Sequence, residues 1–277
     1  MRLIVECHCH TYHSDGELSP QEIVERAQAN KVELLSITDH DSIAGYNAMA
    51  GQDLNGMRLI PGVEISSKLE NTELHIVGLG FDPKNQQLTD LLAQNRSNRN
   101  QRAQKIIDKL IKLGYPDLKP YLDSSVKGEI ISRTHFAKAL LDVGLVSNYE
   151  QAFKKFIGKG GKVWFSSKWP SIEQVIKTIQ QAGGKAVLAH PTKYRLSSRR
   201  MTWVIEEFAA YGGDALEINY PGLSPNHRSY LKRLAIKHDL SISVGSDFHR
   251  PAQTWAKLGG FSQFDPSLSP VWEQLAV

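Results

Sequence analysis

Cysteine is nearly absent. Cys7 and Cys9 are the only two in 277 residues. They stand two apart, too close for an easy bridge, and a reducing compartment fits. Long apolar runs are missing, since none approaches the roughly 18–20 residues that a membrane span needs. The opening Met1-Arg2-Leu3-Ile4-Val5-Glu6 has no signal-peptide core and no small-residue cleavage site. A cytoplasmic protein with no membrane association is the expectation, and no obligate protein partner is evident. Internal repeats and low-complexity tracts are also lacking. Charged residues at 22% and hydrophobic residues at 41% give a globular balance without a signal of disorder. The length suits one large domain or a domain with an insertion.

What is present is unevenly charged. The net charge is +4, yet residues 84–162 hold fifteen Lys/Arg against seven Asp/Glu. The remainder is acidic. A basic segment set in an acidic chain suggests an anionic ligand where the two meet. A solvated basic surface explains the charge alone equally well.

Short apolar runs alternate with helix-like segments. The expected strands are Leu3–Glu6, Leu34–Thr38, Leu59–Ile60, Val63–Ile65, Leu74–Leu79, Ala186–Ala189, Ala215–Ile218 and Ile242–Val244. Continuous hydrophobicity fits strands buried on both faces. Ser19-Pro20-Gln21-Glu22 reads as a helix start with a capping box, Ser171 opens another helix, and Ser224-Pro225 a third. This alternation argues for a parallel α/β sheet or barrel. The rhythm breaks over 83–162, where helices are expected at Leu88–Leu113, Thr134–Val143 and Tyr149–Ile157. That stretch reads as a helical insertion forming a substrate-binding cap. Residues 1–82 and 163–277 form the α/β domain, with Val163-Trp164-Phe165 as a further strand-like run.

Polar residues collect at the strand ends. The first strand runs into Cys7-His8-Cys9-His10, where His8 and His10 face one way and the cysteines the other. Asp15, then His40 in Thr38-Asp39-His40-Asp41, Glu64, His75, His190, Asp247 and His249 follow in order. Six of the ten histidines and three carboxylates thus lie where α/β barrels gather functional groups. Burying such a set without cations would be costly. Mixed imidazole and carboxylate donors suit Mn²⁺, Zn²⁺ or Fe²⁺, and nine donors suffice for two or three divalent ions. Mn²⁺ is the expected metal.

The ordered set His-x-His, Asp, Thr-Asp-His-Asp, Gly-Val-Glu, His, Ala-His-Pro, Ser-Asp-x-His resembles the PHP (polymerase and histidinol phosphatase) family over nearly the whole chain. The resemblance implies a distorted (β/α)7 barrel. It also implies that His8, His10, Glu64 and Asp247 hold one ion. Glu64 would bridge to a second with His75 and His190, and Asp15, His40 and His249 would hold a third. Glu6 departs from the family's usual Asp and could orient a ligand or form a salt bridge. Ser132-Arg133-Thr134-His135 and His190-Pro191-Thr192-Lys193-Tyr194-Arg195 resemble the branch with ribonuclease AM and nucleoside 3′,5′-bisphosphate phosphatases. Thr134 stands where that branch commonly has proline.

The chemistry expected is phosphate-ester hydrolysis by a metal-bound hydroxide. Asp39, Asp41 and His249 are candidates for proton handling, and Asp39 could instead fix the strand-end turn. Arg133 offers a planar fork for phosphate oxygens, and His135 a donor or leaving-group acid. Lys193 and Arg195 could reach the same anion. Arg96, Arg99 and Arg102 recur along one helix face, either solvated or tracking a second phosphate. The expected substrate is a 3′,5′-bisphosphonucleotide, or short 5′-phosphorylated RNA shortened from its 5′ end. Rival readings are a histidinol-phosphate or other small phosphomonoester phosphatase, a metal-dependent amidohydrolase, and a non-catalytic metal- or RNA-binding module.

Overall fold

Among the described residues eight short strands form where the apolar runs predict them, and helices separate most of them. The computed structural model describes residues 3–194, 196–265 and 267–275. The strands are β1 (Val5–Glu6), β2 (Leu34–Ser36), β3 (Arg58–Ile60), β4 (Gly62–Leu69), β5 (Thr72–Leu79), β6 (Lys185–Leu188), β7 (Ala215–Asn219) and β8 (Ser241–Val244). They make an α/β fold of two sheets. One is parallel, in the order β1-β2-β3. The other runs β4-β5-β6-β7-β8.

The second sheet is mixed, which corrects the parallel expectation. β4 and β5 form an antiparallel hairpin, and β5 also meets β6 antiparallel. The pair Leu69↔Thr72 leaves a two-residue turn at Glu70-Asn71, and Glu70 takes a positive φ of 50° to close it. The ladders do not join into one closed barrel. Isolated bridges Cys9↔Phe248 and His40↔Glu64 touch from one sheet to the other. A strand at Val163-Trp164-Phe165 does not form. Val163 packs among helices, and its N–H bonds to Phe156 O.

The helices are α1 (Pro20–Ala29), α2 (Ala44–Met49), α3 (Gln86–Lys112), α4 (Lys119–Ser125), α5 (Arg133–Asp142), α6 (Tyr149–Ala152), α7 (Ile172–Gln181), α8 (Ser198–Ala210) and α9 (Pro225–Lys237). Ser19 caps α1 with the full reciprocal box to Glu22, and Ser171 and Ser224 cap α7 and α9. A π-helix, Phe153–Ile157, continues α6.

Apolar burial is divided. One cluster lies on the five-stranded sheet under α7, α8 and α9, and a second lies between α1 and the parallel sheet. A third is built wholly from residues 103–163. Helix α3 spans the first and third. Its stripe of i+3 and i+4 positions starts with Leu88, Leu91 and Leu92 in the sheet core. It ends with Ile106, Ile107 and Leu110 in the helical core. Between these apolar ends the same stripe carries Asn95, Arg99 and Arg102, all buried. That polar middle faces the strand ends. Among the described residues no helix is long and apolar enough to cross a membrane.

Candidate metal centre

Glu64, fully buried on β4, is the hub of the strand-end cluster. Its Oε2 lies 2.9 Å from His40 Nδ1, 3.3 Å from His10 Nε2 and 3.4 Å from His8 Nε2. Its Oε1 lies 2.8 Å from both His75 Nδ1 and His190 Nε2. Asp247 Oδ1 stands 3.2 Å from His10 Nε2 and 3.6 Å from His8 Nε2. Asp15 Oδ1 stands 3.2 Å from His249 Nε2 and 3.8 Å from His40 Nε2. All nine expected donors therefore converge on one site.

Among the described residues three subsets have donor atoms close enough to share an ion. They are His8, His10, Glu64 and Asp247; His10, Asp15, His40 and His249; and His40, Glu64 and His75. The first matches the grouping drawn from the resemblance. The second adds His10 to the anticipated trio. In the third, His40 takes the place assigned to His190, which instead meets Glu64 directly. Donors at ~2.1 Å around one ion lie roughly 3–3.4 Å from each other, close to the separations here. Several of these atoms have no hydrogen-bond partner although buried: His8 Nε2, His10 Nε2, His40 Nδ1, Asp15 Oδ1 and Glu64 Oε2. Orphaned buried acceptors on facing side chains are what cations would satisfy. The donor set fits divalent metals.

Backbone geometry aims these groups. His8 and His10 project into the site while Cys7 and Cys9 pack into two different apolar cores, as strand alternation requires. Asp41, His190 and Asp247 all have positive φ, a strained state for such residues and one concentrated at functional sites. Gly245 lies so near β1 that a Cβ there would sit 2.3 Å from His8 Cβ.

Charge in the cluster is tightly coupled. Burial pushes the Glu64 carboxyl up, but the His40, His75 and His8 imidazoles outweigh it and hold the group well below the usual carboxylate range. Asp247 behaves likewise: burial opposes ionisation, and Lys193, His249 and His8 overcome it. Burial works against the His249 cation, yet Asp15 and Asp247 raise it to about 9. His10, buried and beside His249, falls to about 3.

Sequence reasoning missed Glu217 and Tyr194 behind the donors, whereas Glu6 was one it had considered for orienting a ligand. Glu217, midway along β7, takes His8 Nδ1 at 3.1 Å on one oxygen and the His190 N–H at 2.6 Å on the other. No motif signals it, because its run, Ala215–Ile218, reads as an ordinary strand. Tyr194 Oη receives the His75 N–H and donates to Ala189 O. Glu6 accepts the N–H groups of His8, Ser246 and Gly259, and burial raises it to about 7. It thereby ties the backbones of two donor-bearing strand ends. Glu217→Ala should lower metal affinity about 10- to 100-fold while the fold persists. Calorimetric titration with Mn²⁺ checks this, and wild-type affinity would remove Glu217 from the positioning role.

Asp39 is turned away from the donor sets. It accepts from Thr11 N, Thr11 Oγ1 and Ser14 Oγ at 2.6–2.8 Å, fixing the loop that carries Asp15. Asp41 is likewise committed. It receives Arg99 Nε at 2.7 Å, Asn95 Nδ2 at 2.8 Å and the Ser66 N–H at 2.8 Å.

The anion-binding candidates separate clearly. Arg99, Arg102 and Arg133 line a cavity of about 190 Å³ together with Asp15, His40, His75 and His249. Arg99 and Arg102 are each 4% exposed, so their face of α3 is not a solvated one. Arg96 is outside that set and pairs with Glu129. Arg133 pairs with Glu73 at 3.0 Å. Arg102 has no carboxylate partner among the described residues. Its Nη1 donates to Ser167 Oγ, and its guanidinium lies over Trp169. Burial, with Arg133 and Arg99 nearby, lowers it to about 9. His135 Nδ1 accepts the Ser132 N–H at the start of α5, which leaves Nε2 as the protonated nitrogen. Lys193 is paired with Asp247. Arg195 lies outside the described residues.

A family model for the PHP domain matches residues 6–189. The chain belongs to the PHP family. It is 41% identical over 271 residues to a protein of Haemophilus influenzae named 5′-3′ exoribonuclease, covering 97% of this chain and 98% of that one. It is 34% identical over 276 residues to the 3′,5′-nucleoside bisphosphate phosphatase of Chromobacterium violaceum, covering 98% and 96%. A solved structure from Chromobacterium violaceum, described as an amidohydrolase with bound sulfate and no metal, superimposes with a TM-score of 0.91. It is 33% identical and covers 98% of this chain and 95% of that one.

Proposed function

We propose that the protein is a metal-dependent phosphoesterase that hydrolyses the 3′-phosphate ester of nucleotides carrying a 5′-phosphate. The substrate is a 3′,5′-bisphosphonucleotide or the 5′ end of short RNA, as the names of the relatives suggest. The observation that carries this reading is Arg102. It is a buried guanidinium with no direct ion pair among the described residues, in the same cavity as His40, His75 and His249. Such a cation next to a metal centre calls for a second anionic group on the substrate. It favours a substrate with a second anionic group over a neutral amide or a single phosphate held by metal ions alone.

Two or three divalent ions, with Mn²⁺ preferred, would be held by His8, His10, Asp15, His40, Glu64, His75, Asp247 and His249, with His190 beside Glu64. Bound there, they would activate water and offset charge at the reacting phosphate. The chain's own groups do the positioning. Arg102 and Arg133 grip the 5′-phosphate, and Arg99, fixed by Asp41 and Ser66, shapes the cavity floor. His135 Nε2–H donates to a phosphate or leaving oxygen. Lys193, paired with Asp247, would be free to reach substrate where an ion held by Asp247 neutralised that carboxylate. Asp39 holds the Asp15 loop.

Residues 83–162 act as a cap on the α/β domain, because α3 and α5 supply Arg99, Arg102, Arg133 and His135 while burying their own core. The bridges Cys9↔Phe248 and His40↔Glu64 support a distorted seven-stranded barrel in which β3 and β4 count as one strand. Nucleotide substrates and free, buried cysteines agree with a cytoplasmic setting. Mn²⁺-loaded protein should turn over adenosine 3′,5′-bisphosphate and a 5′-phosphorylated oligoribonucleotide in preference to histidinol phosphate. Turnover of histidinol phosphate alone would overturn the nucleotide reading.

A further inference from the structure

A second recess of about 290 Å³ opens beside Asp247 and His249. It meets the arginine cavity at Thr134, Phe153 and His249, which line both. The two recesses therefore adjoin, one lined by arginines and the other by aromatic side chains. Trp255 in the aromatic recess is 64% exposed, and Phe153 is 37% exposed. An indole left this open is unusual in a chain that buries most of its large apolar side chains. Phe153 is also the first residue of the π-helix, a distortion that recurs at functional sites. The cations in this recess are Lys193 and Arg250, and Arg250 lies 4.0 Å from the Tyr149 ring centroid.

We infer that the recess between Asp247 and Trp255 binds the second nucleoside of 5′-phosphorylated RNA, an inference that rests on the nucleotide reading above. The bond chemistry requires such a place. Removing a 3′-phosphate joins a water oxygen to phosphorus and breaks the P–O3′ bond, and O3′ keeps a proton from that water. In RNA the same phosphorus also carries O5′ of the next nucleoside. The same cleavage then frees the first nucleotide as a 5′-monophosphate. The phosphate stays on the shortened chain as its new 5′-phosphate. That product is again a substrate, so removal proceeds from the 5′ end. A phosphatase site becomes an exonuclease site when it has room for a nucleoside on the far side of the reacting phosphorus from the arginines. The aromatic recess is that room. Stacking on Trp255 and Phe153 tolerates any base, because every base offers a π face.

The test compares kcat/KM for 5′-phosphorylated ApA with kcat/KM for adenosine 3′,5′-bisphosphate in wild type, Trp255→Ala and Trp255→Phe. The ratio should fall about tenfold in Trp255→Ala and largely recover in Trp255→Phe. An unchanged ratio in Trp255→Ala overturns the inference. A binding readout separates this outcome from failure of the functional reading. A non-hydrolysable phosphonate analogue of the dinucleotide, with 2-aminopurine as its second base, should be quenched by wild type and not by Trp255→Ala. If wild type hydrolyses neither nucleotide, the phosphoesterase reading falls, and the quench alone then decides the recess. No quench with wild type rejects it.

Discussion

Glu64→Gln is expected to lower turnover about a thousandfold or more, with the circular dichroism spectrum and a cooperative thermal transition retained. Glu64 is the group on which the centre turns. Its two oxygens face five imidazoles, and two of the three donor subsets include it. Glutamine keeps the shape but removes the charge, and it replaces one acceptor with an NH₂ aimed at imidazole nitrogens. Ions held by the two donor subsets that include Glu64 would lose an anionic ligand. Metal catalysis supplies several kcal/mol at the transition state, and each 1.36 kcal/mol is a factor of ten, which gives the thousandfold figure. Metal content, measured by mass spectrometry after dialysis, should fall alongside activity. Wild-type turnover at full metal content would show that this carboxylate does not hold the reacting ions.

Most donors were readable from sequence because they stand at or just past short apolar runs, where strand alternation decides which way His8 and His10 point; Glu64 and His75 lie inside β4 and β5, and Asp15 on the loop beyond His10. His8 and His10 inward with Cys7 and Cys9 buried behind them is the simplest case. Division of donors among ions was not readable, because it depends on how far strand ends stand apart in space. His40 accordingly joins both Asp15 and Glu64. Strand direction failed at β4 and β5, whose short apolar runs do not show that a two-residue turn joins them. That turn, Glu70-Asn71, carries no glycine to announce it. Glu217 was invisible for a related reason: one charge in an apolar strand looks the same whether it meets solvent or His8. The arginines of α3 were seen as a periodic face. Only the fold shows that this face is buried between two apolar stretches of the same helix.

Arg102→Met and Arg99→Met should shift stability in opposite directions, although the two residues lie one turn apart. Arg99 answers a buried carboxylate, with its Nε 2.7 Å from Asp41 Oδ2. Removing it strands that charge and should destabilise the protein by about 3–5 kcal/mol. Arg102 makes no direct ion pair with a carboxylate among the described residues, and burial together with two neighbouring guanidiniums outweighs the support its charge draws from Glu73 and Asp41. A methionine of similar length would relieve that cost and keep the packing against Trp169. The gain expected is about 1–4 kcal/mol, read as a raised Tm in anion-free buffer. The same change should lower kcat/KM on adenosine 3′,5′-bisphosphate by roughly 30-fold to a few thousandfold, the effect of losing about 2–5 kcal/mol from a buried charge contact. Sulfate supplies the missing anion in a third measurement. It should raise the Tm of wild type by mass action and leave Arg102→Met nearly unmoved. If Arg102→Met instead melts lower than wild type without sulfate and keeps its activity, Arg102 is a structural residue. The site would then lack its second anion pocket. A stability gain joined to an activity loss is the signature of a charge held in place for its ligand, at the expense of the fold around it.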